Sequence, residues 1–288
     1  MTNISATQVK KLREKTGLGL MDCKKALQES SGDIQIAIEN LRKSSALKAE
    51  KKSSRSAIEG VIQAEFNEKN NQVILVEVNC ETDFVSKDSS FLDFCDKTLA
   101  LAIKNHFEED LFEIVAQKME EERRGLIQRI GENIIIRKII AHGGGVVDYY
   151  VHSNKKLASI VSLSSGNKEL AKDIAMHITA LNPLVIAPED LSEELITKEK
   201  EIIHSQVAKE NKPPEIVEKM VQGRLNKYLS EVSLIKQRFV KEPNTSIEDL
   251  LSETNSKIKS FVRIEVGEGI EVEEIDFASE VMAQIESI

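Results

Sequence analysis

The sequence predicts an α+β fold, and three observations carry that prediction. A β-hairpin followed by an amphipathic helix occurs twice, once from Gly60 and again from Gly145. Helical spacing of apolar residues fills the stretch before the first unit. A second helical stretch, broken at Pro213-Pro214, interrupts the second unit. The architecture expected is an N-terminal three-helix bundle, two hairpin-plus-helix core subdomains, an inserted antiparallel helical arm and a C-terminal helix. The corresponding boundaries are 1–56 (bundle and basic linker), 57–142, 143–276 with the arm at about 189–230, and 277–288.

Ser5 and Gln8 have capping-box spacing at the start of the first helix. Thr16-Gly17-Leu18-Gly19-Leu20 breaks that helix, because two glycines disfavour it. Asp22 can cap a second helix and Asp33 a third. Ile34, Ala37, Ile38 and Leu41 share one face of the third. Residues 42–56 carry Arg42, Lys43, Lys48, Lys51, Lys52 and Arg55 against the single acid Glu50. This stretch is either a solvated helix tail and linker or a minor RNA contact.

In the first unit, residues 73–78 form an unbroken apolar run, which reads as a buried strand. The run stops at Asn79, Glu81, Thr82 and Asp83, and Phe84 and Val85 follow. Phe84 is either a core ring covering the strand end or an exposed anchor on a rigid scaffold. A helix with Phe91, Phe94, Cys95, Leu99 and Ala102 comes next. The charged stretch 108–125 reads as a short helical excursion, and 134–140 as a late strand. The second unit repeats the pattern, with a polar tip at Ser153-Asn154-Lys155-Lys156, a helix over 170–181 and a late strand at 261–266. A strand pair cannot cover its own apolar face, so each sheet needs its helix. The two helices of the arm, roughly 20 residues each, either lie flat on the core or reach about 30 Å as a projecting coiled coil. Phe277, Val281, Met282 and Ile285 give the last helix its apolar face.

Composition narrows the function. The chain has 288 residues and a net charge of −9, so the balance argues against phosphate binding and RNA contact by the chain as a whole. Cys23, Cys80 and Cys95 form no paired spacing, the N-terminus has no apolar signal core, and no apolar run is long enough to span a membrane. A cytoplasmic protein without a membrane association is expected. The five histidines lie in separate segments, and neither a metal spacing nor a nucleophile turn occurs. His177 reads as a core or rim residue. Gly143-Gly144-Gly145 lacks the Lys and Ser/Thr of a P-loop, so the expectation is no cofactor, no nucleotide site and no enzyme. The rival readings are an enzyme using Cys80, an RNA-binding adaptor and a general interaction scaffold.

Asn79-Cys80-Glu81-Thr82-Asp83-Phe84-Val85-Ser86-Lys87 resembles the core signature of the bacterial translation elongation factor Ts family. Thr16-Gly17-Leu18-Gly19-Leu20-Met21-Asp22-Cys23-Lys24-Lys25-Ala26-Leu27 resembles that family's N-terminal signature. Gly131-Glu132-Asn133-Ile134 and Gly267-Glu268-Gly269-Ile270 also fit. Leu18 and Leu20 stand where Ala and Met are common, and the triple glycine is unusual. The resemblance implies a guanine-nucleotide exchange factor whose partner is elongation factor Tu, with an N-terminal bundle like the ubiquitin-associated domain. It implies that Asp83 and Phe84 press into the partner's GTPase domain. Thr82, Asp83, Phe84 and Val85 would dislodge the partner's magnesium ion. Leu18, Leu20 and Met21 would meet the same domain, and His152 and Phe277 would add contacts.

Overall fold

A computed structural model describes residues 4–208 and 213–271. Helix α1 (Ala6–Thr16) opens with the expected capping box: the Gln8 N–H donates to the Ser5 hydroxyl, and the Gln8 side chain accepts from the Ser5 N–H. Helix α2 (Leu20–Glu29) begins two residues before Asp22, behind Gly19, so Asp22 lies in the first turn and is not the cap. There its charge still favours the helix N-terminus. Asp33 caps α3 (Ile34–Lys52) by accepting from the N–H groups of Gln35 and Ile36. Val9, Leu12, Leu18, Cys23, Leu27, Ala37 and Leu41 form the core shared by these helices.

The basic stretch expected as tail and linker is helical as far as Lys52. Ser45 and Ala49 are buried, Arg42 lies 2.7 Å from Glu121, and Lys52 donates to the Gly131 carbonyl. Its charges are therefore spent partly on the chain itself, because α3 lies along α5 (Leu111–Ile130).

Strands β1 (Glu59–Asn67), β2 (Gln72–Cys80) and β3 (Ile134–Gly143) form one antiparallel sheet in that order. Strands β4 (Val146–Val151), β5 (Leu157–Leu163) and β6 (Ile258–Glu265) form another. Side chains alternate along a strand, so β2 presents two apolar faces. Ile74, Val76 and Val78 pack on α4 (Ser89–Lys104) and α5 through Phe91, Phe94, Val115 and Ile127. Val73 and Leu75 pack instead on the second sheet, against Val147, Ala158, Ile160 and Ile264. The opposite face of that sheet, with Val161 and Leu163, meets α6 (Lys168–Leu181). Helices, sheet, sheet and helices thus stack in four layers. The α+β class holds, and the contact of sheet on sheet is an addition to it.

Helix α5 differs from expectation. It is no excursion: Leu111, Val115, Met119, Leu126 and Ile127 place it in the core. Its charge sits on the outer face and masks a regular apolar stripe. Helices α7 (Glu193–Val207) and α8 (Pro214–Val232) pair through a cluster of their own, Ile203, Val207, Val221 and Leu225. A short helix α9 (Ile247–Glu253) precedes β6 and buries Ile247 and Leu251 beside α6. The expected C-terminal helix, with Phe277, lies outside the described residues. Among the described residues, no helix is long and apolar enough to cross a membrane.

Candidate functional site: a clamped turn presenting Phe84

Strand β2 ends at Cys80, and the next eight residues form a turn held from several sides. The Thr82 N–H and hydroxyl donate to the two carboxylate oxygens of Glu132, at 3.0 and 2.7 Å. The Asn133 N–H donates to Glu81 at 2.6 Å, and the Asn133 amide donates to the Arg55 carbonyl at 2.8 Å. A single 3-10 turn then spans Val85–Lys87, and the Ser86 hydroxyl donates to the Asp83 carbonyl. Asp88 closes the motif by capping α4 through the Ser90 N–H.

Val85 is buried among the α4 residues, whereas Phe84 is 82% exposed. Thr82 on one side and Val85 on the other fix the backbone, so the ring is held in solvent on a rigid mount. Leaving a phenylalanine uncovered forgoes roughly 2–3 kcal/mol of burial. That cost is an argument for a partner that covers it. Beside the ring, Lys87 lies 2.8 Å from Asp83. The hydrogen bond from Lys87 holds the Asp83 carboxyl below the usual carboxylate range, and the nearby Lys156 charge adds to this. In turn, Asp83 pushes the Lys87 ammonium up.

Burial, aided by the charges of Glu132 and Glu59, pushes the Cys80 thiol up to about 12. A thiol so reluctant to ionise is not a nucleophile at neutral pH. Cys80 instead donates to the Thr82 carbonyl at 3.2 Å and serves the turn. The other candidate groups do not converge: His142 meets Ser260, His106 meets Asn70, and buried His177 meets Gln237 at 2.9 Å. Among the described residues, no three metal-ligating side chains gather.

His152 lies exposed at the β4–β5 tip, with its Nδ1 3.2 Å from the Tyr150 hydroxyl. Lys156, from the same tip, pairs with Glu59, which sits opposite Cys80 in the ladder. The tip is thereby brought to the end of the sheet where residues 82–85 lie. The N-terminal loop reaches that end too: Gly17 abuts Arg129 near the end of α5, and the Arg129 charge acts on Asp88. Leu20 and Met21 are 54% and 75% exposed there. Leu18 is a correction. It is 5% exposed and packs inside the helical bundle, so it shapes the loop and is not available to a partner. The sequence points to Glu132 and Asn133 only as part of a stretch that fits the family, with no role attached, and it does not point to Glu59 or Arg129. Charged residues on helix ends and strand starts give no local signal of the loop they hold.

The fold and this turn define an α+β protein that presents an apolar ring on a clamped mount. A family model described as "Elongation factor TS" matches residues 81–268. The chain is 51% identical over 285 residues to elongation factor Ts of Teredinibacter turnerae, covering 98% of this chain and 97% of the relative. It is 50% identical over 283 residues to that of Marinobacter nauticus and 47% identical over 283 residues to that of Escherichia coli, covering 98% of both chains in each case. The chain belongs to the elongation factor Ts family and is a translation elongation factor.

Proposed function

We propose that this chain is the guanine-nucleotide exchange factor for elongation factor Tu in the cytoplasm, with no catalytic or nucleotide site of its own. The observation that carries the reading is the exposure of Phe84 between the clamped Thr82 and the buried Val85. In this reading the ring wedges into the partner's GTPase domain beside the ionised Asp83. The strip 82–85 displaces the partner's magnesium ion, which bridges the nucleotide phosphates in such enzymes. Leu20, Met21 and His152 widen the contact, and Phe277 belongs to it by family resemblance. The N-terminal helices act as a ubiquitin-associated-like bundle. The two hairpin units act as duplicated subdomains, and α7 with α8 as an inserted coiled-coil arm.

An exchange factor must bind the emptied GTPase more tightly than the loaded one, and linkage makes the antagonism reciprocal. Weakening nucleotide about a thousandfold requires about 4 kcal/mol of coupling. One buried aromatic anchor supplies roughly 2–4 kcal/mol, so Phe84 with a few apolar neighbours is of sufficient size. The test is release of fluorescent GDP from elongation factor Tu with and without the chain. Release that is unchanged by saturating chain refutes the proposal.

A further inference from the structure

The two sheets meet mainly through apolar side chains, and such contact is non-directional and tolerates sliding. A polar seam interrupts it beside the turn that follows β6. Glu77 on β2 is fully buried, and its Oε1 accepts from the Gly267 N–H at 3.0 Å and from Arg137 at 2.9 Å. Lys138 lies 3.6 Å from its other oxygen. Arg137, on β3, donates through its second amino group to the Glu268 carbonyl. Both residues of the first sheet thus hold the turn that follows β6 of the second. Gly267 adopts a left-handed φ of 78°, and a Cβ there would lie 2.3 Å from the Ile58 carbonyl oxygen. Only glycine lets the turn press so closely.

Each side of this seam leads within a few residues to part of the proposed contact surface. On the second sheet, Val266 precedes Gly267 and donates to the Lys156 carbonyl at 2.9 Å. Lys156 belongs to the tip that carries His152, and the Lys155 carbonyl accepts from the Ile62 N–H of β1 at 2.7 Å. On the first sheet, Glu77 lies three residues before Cys80, where the Phe84 turn begins. Arg137 lies three residues after Ile134, directly past the Glu132 and Asn133 clamp.

We propose that Glu77, Arg137 and Gly267 form a clasp that fixes the separation of the His152 tip from Phe84, so that one partner surface meets both at once. They are positioning residues and touch no partner. The benefit is preorganisation: with the two patches already spaced, the second contact forms without an ordering cost. This inference rests on the exchange reading above.

The experiment is a double-mutant cycle read by release of fluorescent GDP from elongation factor Tu. Arg137→Met removes the hold on Glu268 while Lys138 remains as a counter-charge to Glu77. Gly267→Ala wedges the same seam from the other side. The expected loss in release rate is about tenfold alone and less than about twofold in a His152→Ala background, because a contact already removed cannot be mispositioned. Thermal unfolding checks that each variant folds. If Arg137→Met does not fold, the Gly267→Ala cycle decides. Equal losses in both backgrounds overturn the clasp and leave the exchange reading standing. A wild-type chain that releases no nucleotide overturns both.

Discussion

Replacing Phe84 by alanine separates folding from function. A phenylalanine side chain carries roughly 200 Å² of surface, and 82% of this residue is uncovered in the free chain. Allowing for the Cβ that alanine keeps, about 130 Å² of apolar area is open to a partner, worth about 3 kcal/mol at ~25 cal/mol per Å². The expected effect is therefore about a 150-fold loss of exchange acceleration. The part of the ring that touches its own chain contributes below about 1 kcal/mol, so the unfolding midpoint should move by less than about 3 °C. Val85→Ala should act first on folding. Its side chain is 8% exposed, and truncation should cost about 2 kcal/mol of stability. The assays are GDP release under saturating chain and calorimetric unfolding of both variants. A Phe84→Ala protein with full exchange activity, or one that unfolds, refutes the reasoning.

Three further outcomes are expected. Glu132→Ala should free the Thr82 N–H and hydroxyl, cost about 1–3 kcal/mol locally and slow exchange although Phe84 is intact; faster amide hydrogen exchange at Thr82 would report it. Chelating magnesium should release nucleotide by itself, and the acceleration added by the chain should shrink, if residues 82–85 act on the metal; stopped-flow release with and without chelator measures this. Burial holds His177 and His142 below their ordinary value of 6.5, so the unfolded state takes up protons that the folded state refuses. Stability should be full above that value and decline as pH falls below it, before the depressed carboxylates Asp83 and Asp88 titrate. His177→Gln should flatten the slope of unfolding midpoint against pH, and an unchanged slope would exclude His177 as its source.

Local pattern alone established the helix caps at Ser5 and Asp33, the buried strand at 73–78 and the alternation of hairpins with helices. These depend on residues three or four apart, or on neighbours along a strand, and such spacings are written directly in the chain. The family signature around Phe84 was equally legible. What covers each apolar face was not. The run 73–78 is apolar throughout because helices lie on one side and a second sheet on the other, and nothing local distinguishes those two covers. The charged surface of α5 hides its core role, and nothing local in basic residues 42–56 signals that Glu121 and the Gly131 carbonyl meet them. Phe84 and Phe91 are the same residue type seven positions apart, yet one is in solvent and the other is fully buried. Phe84 rides on a turn whose Thr82 is gripped by Glu132, fifty residues away, whereas Phe91 packs from α4 against β2. Periodicity determines which side of an element is apolar, whereas only contacts between distant segments determine what, if anything, covers it.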